Sequence, residues 1–353
     1  MKKAATRTTK TLFSLISFLV IIIIVFFSRS VLARVTASGL DKNPPGKKSG
    51  ILSSPDKPNQ AKEHFQKGVE YTQSNQVDLA IKEYRTALEL DPNFIMAHVN
   101  LGMSHIQKKE FDAAVRELHK AIQINPKLTL AHLNLWWAYR QQGKYDEGIA
   151  ELKKVIALDP NDTNAYLNLG NSYLSDKKMA PEAIQAYLDG LAKGNETAEI
   201  HQKIGKAYEI NRQFDKAIEH FHLAIGTDRN NLYTYLFLYV TLEKSKRKLE
   251  AAETLRNGLA AFKTRSLLAD SSYTDIAHLM ECLLGTYSEK DLLSIKNPVI
   301  ICQVHYYLGM SYFFQNKRKE AIQHLQQAIE TQMNIISEYE YAKIELEQIQ
   351  GQK

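Results

Sequence analysis

Small and apolar residues recur along the chain with a period of 34 residues. A first slot is held by glycine or tryptophan, a second by alanine and a third by proline; the members are Gly68, Gly102, Trp136 and Gly170, then Ala80 and Ala114, then Pro92, Pro126 and Pro160. A fixed period of this length is typical of arrays in which each unit buries its apolar face only against its neighbours. The pattern therefore predicts an all-α stack of helix pairs, which presents surfaces rather than catalytic pockets.

The unit with the fullest pattern begins at residue 95 and reads His98-x-x-Leu101-Gly102-x-x-His105, followed by Ala114, Leu118, Ala121 and Pro126. It resembles the tetratricopeptide repeat (TPR). Gly102 and Ala114 are small where the two helices would cross, and Pro126 would end the second helix. The resemblance implies a right-handed α-solenoid over residues 61–335. Its units start near residues 61, 95, 129, 163, 198, 232 and 302, with a divergent helix pair at residues 266–301.

Two units depart from this pattern. In the third unit Trp136 replaces the glycine, and Gly148 replaces the alanine expected on the facing helix. A large residue opposite a smaller one keeps the interhelix volume nearly constant, so we interpret the change as compensation. The fourth unit is one residue longer than the others, and we expect the extra residue in the loop at residues 177–181.

A terminal helix is predicted within residues 336–353, after the last repeat. Ser337 and Glu340 form a capping-box signature at its start. An apolar stripe is expected to face the array and a polar face to point away from it; the stripe is Tyr339, Ala342 and Leu346, and the polar face is Lys343, Glu345, Glu347 and Gln348. Such a helix would cap the open end of the solenoid and keep it soluble.

The N-terminal segment, residues 1–33, has an apolar stretch at residues 12–27 behind four basic residues. This stretch is short for a membrane span, which needs ~20 residues, and long for a signal-peptide core of roughly 7–15. We favour an uncleaved single-pass anchor, with secretion after cleavage behind Ala33 as the alternative. Residues 34–60 carry four prolines and are expected to be a disordered linker. The repeats are expected on the non-cytoplasmic side, either periplasmic or extracellular.

Charge argues against nucleic acid as a partner. The chain has 45 Lys/Arg and 39 Asp/Glu, but residues 1–60 contain 10 of the basic and 2 of the acidic residues. The remaining residues therefore carry 35 basic and 37 acidic side chains, which is no basis for phosphate binding.

The sequence shows no Gly-rich phosphate loop, zinc-protease motif or nucleophile elbow, and we predict that the protein is not an enzyme and holds no cofactor. One slot is histidine in five units: His64, His98, His132, His201 and His305. Neighbouring helices lie ~8–10 Å apart, too far for successive rungs to share one zinc ion, so we assign these histidines to packing. Cys282 and Cys302 could pair in a disulfide, although two buried thiols are the favoured interpretation.

Candidate binding residues lie on the first helices of the units, which line the concave face in the TPR family. Asn100, Asn134 and Asn168 recur there and resemble an asparagine ladder known from a peptide-binding TPR protein. An amide donates and accepts at once, so it matches a peptide backbone without selecting its side chains. A solvated polar position is the alternative interpretation of the same three residues.

An apolar stripe accompanies the ladder. Its members are Met96, Val99, Met103, Leu130, Leu133 and Trp137. Trp137 is the expected aromatic anchor for a partner, and Arg140, one turn further along, is the expected partner for a carboxylate. We therefore predict a scaffold that binds protein or peptide partners at a membrane. An accessory subunit of a separate enzyme, or a self-assembling protein that uses the apolar surface at residues 299–314, is an alternative.

Overall fold

The computed structural model describes residues 57–176, 178–194, 197–265, 271–333 and 336–351. The predicted anchor and the linker up to residue 56 lie outside the described residues. The last four linker positions are helical, which corrects the predicted boundary at residue 60, because the first helix starts at Lys57 and takes Pro58 into its first turn. Proline is tolerated there because that N–H would have no partner within the helix. Within the described part, no helix is both long and apolar enough to cross a bilayer.

The described residues form helices and no strands, so the predicted all-α solenoid is confirmed. The helices in chain order are α1 Lys57–Gln73, α2 Val77–Leu90, α3 Ile95–Gln107, α4 Phe111–Ile124, α5 Thr129–Gln141, α6 Tyr145–Leu158, α7 Thr163–Asn171, α8 Ala180–Ala192, α9 Ala198–Ile210, α10 Phe214–Thr227, α11 Leu232–Lys244, α12 Lys248–Arg265, α13 Ser271–Leu283, α14 Glu289–Leu292, α15 Pro298–Phe314, α16 Arg318–Glu330 and α17 Ser337–Gly351. Successive helices pack against each other from α1 to α14 and again from α15 to α17. We call α1, α3, α5, α7, α9, α11 and α15 the A helices and their partners the B helices.

Where the slot is glycine, the A helix packs closely against its B helix at that position. A Cβ atom on Gly102 would lie 2.8 Å from Leu118 Cγ, and one on Gly170 would lie 2.3 Å from Tyr187 Cε1, so any side chain there would push the helices apart. In the third unit the roles are exchanged, because a Cβ on Gly148 would lie 3.2 Å from Trp136 Cδ1. The predicted volume compensation is therefore present in the structure.

The turn between the two helices of a pair has a fixed form. Its second residue has a positive φ, as at Asn75 (57°), Lys109 (62°) and Gly143 (72°). The next residue donates its backbone N–H to a carbonyl five residues back, as from Glu110 to His105 at 2.8 Å. This is the Schellman arrangement, which satisfies carbonyls that the helix end would leave without partners.

The extra residue of the fourth unit lies in a helix and not in the predicted loop. Helix α7 continues into a five-residue π-helical turn, Ser172–Asp176, and the turn before α8 begins at Ala180 is as short as in the other pairs. A π turn takes up one residue more than the α-helix it interrupts. The loop expectation was wrong because an insertion can be absorbed by either element without changing the period.

The region predicted as a divergent helix pair has one full helix, α13, and only the four-residue helix α14. Helix α15 starts at Pro298, four residues before the predicted unit start at residue 302, and the Asn297 side chain caps it by accepting the Val299 N–H at 3.0 Å. Because the second helix of this unit is so short, α11 packs directly against α15. The A-helix surface of the sixth unit is thereby brought against that of the last unit.

Candidate partner-binding groove

Two rows of side chains run along the A helices. We call the first the ladder row; its members are Asn100, Asn134, Asn168, Lys203, Phe237 and Tyr307. The second lies three residues further along each helix and is called the anchor row; its members are Val69, Met103, Trp137, Asn171, Lys206, Val240 and Met310. Residues three apart in a helix share a face, so the two rows together form one surface, the groove.

In the first units the ladder asparagines are half-buried. Asn134 donates its side-chain amide to the Leu130 carbonyl in its own helix at 2.8 Å, and Asn100 donates to the Tyr84 hydroxyl at 3.4 Å. Two of the three amides thus have one of their two N–H donors engaged within the chain. A peptide that needed that donor would have to displace its present contact.

Trp137 is the large exposed side chain of the groove, with 36% of its surface accessible. The Arg140 guanidinium lies 5.7 Å from the Trp137 ring centroid. It also donates two hydrogen bonds to Asp176, from Nε at 2.8 Å and from Nη2 at 3.0 Å. This bidentate ion pair corrects the expectation that Arg140 is available for a partner's carboxylate, because its fork is filled by a carboxylate of the chain itself.

Asp176 is the groove residue that the sequence did not predict. It lies in the π turn, which has one residue more than the α-helical turn it replaces and so shifts the positions of the side chains within it. Ser172 Oγ in the same turn accepts the Trp136 indole N–H at 3.0 Å. The π turn of the fourth unit therefore supplies hydrogen-bond acceptors to two side chains of the third unit: Ser172 accepts from Trp136, and Asp176 accepts from Arg140.

The apolar stripe divides into a floor and a buried part. Val99 is completely buried in the core beside Leu118 and Leu135, so the prediction that it contacts a partner is wrong. Periodicity placed it on the right face, but the neighbouring unit covers it. The other predicted members are half-buried and form the groove floor: Met96, Met103, Leu130 and Leu133.

In the last units the same rows are covered by the terminal helix α17. The Tyr341 ring packs edge-on against Phe237 of the ladder row, with centroids 6.1 Å apart. Lys206 Nζ of the anchor row lies 4.1 Å from the Tyr341 ring centroid. Tyr307, also in the ladder row, donates its hydroxyl to Glu338 at 3.3 Å. Helix α17 therefore occupies the groove of the fifth, sixth and last units.

Two predictions about α17 are corrected by this placement. Glu345 was expected on a polar outer face, but only 4% of its surface is exposed, because it turns inward to Lys244. The apolar surface at residues 299–314 was a candidate for self-association, yet Tyr306 and Met310 are completely buried. Tyr306 packs near Tyr341, with ring centroids 6.3 Å apart, so α17 shares in covering that surface.

A buried charge network lies under α17. Glu209 accepts from Lys206 at 2.9 Å and from Lys244 at 2.6 Å, and Lys244 also donates to Glu345. Lys206 completes its contacts with the Tyr306 hydroxyl at 3.1 Å. Two ammonium groups and two carboxylates are therefore enclosed together, and Glu345 is the one contributed by α17.

The titration of these groups follows from their enclosure. Burial opposes the charged form of Glu209, but Lys206 and Lys244 outweigh it and lower the pKa of Glu209 to about 2. Burial also opposes the charge on Lys244, and the carboxylates of Glu209 and Glu345 outweigh it and raise the pKa of Lys244. Burial lowers the pKa of Lys206, and the neighbouring ammonium of Lys244 lowers it too, while the Glu209 carboxylate opposes both effects. The pKa of Glu338 is raised by burial.

The recurring histidines form hydrogen bonds between units and within them. His98 contacts Glu117 through Nδ1 at 2.7 Å and the Pro92 carbonyl through Nε2 at 3.0 Å, and His132 repeats both contacts one unit later. In the described part of the chain, no three metal-ligating side chains are grouped as an ion would require.

The two cysteines are free thiols, so the disulfide alternative is not realised. Cys302 is buried, and its Sγ lies 3.4 Å from the Ala328 carbonyl. Burial raises its pKa to about 11.

Comparison with known families confirms the repeat. One TPR repeat model matches residues 68–107 and 138–177, and a second, described as tetratricopeptide repeat, matches residues 97–128 and 198–231. A model of the TPR repeats of Integrator complex subunit 8 matches residues 240–353. The matched residues thus contain tetratricopeptide repeats. No curated protein sequence matches it.

Several solved structures resemble part of the chain. The MamA protein is 24% identical over 49% of this chain and 93% of its own, with a TM-score of 0.45. PilF of Pseudomonas aeruginosa is 20% identical over 59% of this chain and 93% of its own, with a TM-score of 0.47. YrrB, described as a TPR protein with an unusual peptide-binding site, is 20% identical over 49% of this chain and 89% of its own, with a TM-score of 0.42.

Proposed function

We propose that this protein is a non-catalytic protein–protein interaction scaffold, and that it binds a peptide or helical segment of a partner in the groove of its first four units. The observation that carries the proposal is the position of Trp137. It holds in the third unit the position that Lys206 holds in the fifth, where the groove contacts a bound helix. The open half of the groove thus presents, with an exposed aromatic anchor, a surface that the other half uses to hold a helix.

Trp137 is suited to be the centre of this site. Partly exposed aromatic side chains next to a half-buried apolar floor are the residues that carry most binding energy in interfaces. The Arg140–Asp176 pair holds the guanidinium beside the Trp137 ring, which restricts the ring before a partner arrives. A pre-positioned anchor loses less conformational entropy on binding.

The test compares two aromatic residues of one unit. Trp137 and Tyr145 are exposed to 36% and 37%, but Trp137 lies on the A helix and Tyr145 begins the B helix. Proteins captured by the full chain and lost from Trp137→Ala, but kept by Tyr145→Ala, are the candidates. Binding of each purified candidate should weaken by about 2 kcal/mol or more, about 30-fold, in Trp137→Ala. Equal effects of the two substitutions would place the site elsewhere.

The ladder asparagines have a separate signature. If their amides contact a peptide backbone, changing Asn100, Asn134 and Asn168 together to alanine should weaken all partners by a similar factor, since a backbone carries no sequence information. A loss confined to one partner would mean that these residues contact side chains.

We propose further that residues 1–33 anchor the scaffold in a membrane with the repeats outside the cytoplasm. The apolar stretch at residues 12–27 behind a basic head supports this proposal. A reporter that is active only outside the cytoplasm, fused behind Lys353, should be active. An inactive fusion would contradict the topology, and mature protein beginning at Arg34 would favour the secreted form.

A further inference from the structure

Helix α17 contacts the groove through a small and regular set of side chains. Glu338, Tyr341 and Glu345 are spaced three and four residues apart, so they lie on one face of the helix. Each meets a residue of an A helix: Glu338 meets Tyr307, Tyr341 meets Lys206 and Phe237, and Glu345 meets Lys244.

Charge complementarity explains why this helix fits. Lys206, Lys244 and Glu209 leave the groove with one excess positive charge, which Glu345 neutralises. At the end of the helix, Lys178 of the fourth unit donates to Glu347 at 2.6 Å. An apolar residue in place of Glu345 would leave Lys244 with one carboxylate instead of two, so the groove discriminates between helices by their acidic residues.

Another helix could take the place of α17 in the groove. The helix follows α16, the last B helix, so its displacement would not separate the two helices of any repeat. A 15-residue helix is marginal alone, so its order depends on the groove. Buried ion pairs add specificity more than net stability, because their attraction is offset by desolvation.

We propose that the groove of the fifth, sixth and last units is a second binding site, whose ligand is an amphipathic helix of a partner protein that presents Glu-x-x-Tyr-x-x-x-Glu on one face. Helix α17 is the resident occupant and excludes that ligand until it is displaced. The site is separate from the open groove around Trp137, and its ligand enters by replacing the same contacts that α17 makes in cis.

The test uses the full chain and a labelled peptide with the sequence of residues 337–351. In the unchanged chain α17 competes at the millimolar effective concentration of a short tether, so the peptide should bind weakly. In Glu345→Lys the resident helix brings a lysine against Lys244 and is repelled, so the groove should open. The Glu345→Lys chain should bind the unchanged peptide at least about 100-fold more tightly than the unchanged chain binds it. The reason is that its own α17 no longer competes for the groove at a high effective concentration.

Two control peptides define the chemistry. A peptide with Tyr341→Ala should bind the variant at least about 10-fold more weakly, because the cation–π and ring contacts are lost. A peptide with Glu345→Lys should show no binding. Trp137→Ala, introduced into the variant chain, should leave the capture unchanged, which separates this site from the open groove.

A second arrangement does not depend on a charge reversal. A protease site placed in the segment at residues 331–336 allows the connection to be cut after folding, so that α17 stays bound only by its contacts. Labelled peptide should then replace the cut helix within hours, and native mass spectrometry would show the exchange. A folded Glu345→Lys chain that binds no peptide, or a cut helix that never exchanges, would overturn the proposal. Helix-swapped dimers that form instead of peptide capture would also overturn it, since the occupant would then be a second copy.

Discussion

The third and fifth units differ in the residue at the same position of the A helix and in how far that residue is exposed. At the anchor row, Trp137 of the third unit is 36% exposed, whereas Lys206 of the fifth is 1% exposed. The apolar residue faces solvent and the charged residue is buried, the reverse of what hydrophobicity alone predicts. The difference lies in the occupant, because α17 covers the fifth unit and nothing in the described residues covers the third to that extent.

The comparison shows that the repeat determines where a groove residue lies, and the occupant determines its chemistry. In the covered half, the lysine is kept because Glu209 and the Tyr341 ring meet it. In the open half, an aromatic residue is kept beside an arginine whose charge is already paired. A groove filled in cis can use buried ions, while a groove awaiting a partner relies on a neutral anchor.

The largest expected effect comes from breaking the buried network. Glu209→Ala leaves Lys206 and Lys244 enclosed with one carboxylate fewer, and should lower the free energy of unfolding by about 3–5 kcal/mol. Arg140→Ala is the matched change, since Arg140 holds the equivalent position in the third unit but is 32% exposed. It should cost about 1–2 kcal/mol. Urea unfolding of both variants measures the difference, and equal costs would mean that the two halves are equally accessible to water.

An aromatic pair gives an effect of similar size. Tyr341→Ala removes a side chain that is 6% exposed and should cost about 3–5 kcal/mol, as for other buried aromatic residues. Trp137→Ala should cost below about 1 kcal/mol, because a groove without its partner derives little stability from an exposed ring. Hydrogen exchange should rise in residues 337–351 for Tyr341→Ala and remain unchanged there for Trp137→Ala. Increased exchange in both would contradict the independence of the two sites.

The helix pairs could be predicted because their causes are local and repeat. Gly102 must be small to let Leu118 approach, and Pro126 must follow a helix. The residues that determine each helix pair therefore lie within the unit itself. The exchange between Trp136 and Gly148 could be predicted for the same reason, since one crossing involves both.

The sequence predicts where the groove lies, but not which of its residues are exposed and which are covered. Val99 and Trp137 follow the same helical period, and only packing between units decides that the first is buried and the second exposed. The ion pair from Lys244 to Glu345 joins residues 101 positions apart, so no local sequence pattern predicts it. The π turn escaped prediction because it changes side-chain direction without changing the period of the units.

The smallest effect concerns Glu338, whose carboxylate faces Ser337, Tyr307 and, further off, Lys206. Burial raises the pKa of Glu338 above its ordinary value of about 4.5, so the folded state disfavours the charged form. Stability is therefore lost as the pH rises from below 4.5 through the raised pKa. Glu209 acts in the opposite direction, because its pKa of about 2 means that stability is lost as the pH falls toward that value.

Glu338→Gln separates these two contributions. Below pH 4.5 the protonated acid and the amide should be nearly equivalent, whereas at neutral pH the amide avoids a buried charge and should stabilise the chain by about 1 kcal/mol. The measurement is urea unfolding of both proteins at pH 4 and pH 7, with Glu340→Gln as the control because Glu340 lies on the same helix at 28% exposure beside Lys343. A gain that is equal at both pH values would show that Glu338 is solvated, and that α17 covers the groove less completely than its tyrosine contacts indicate.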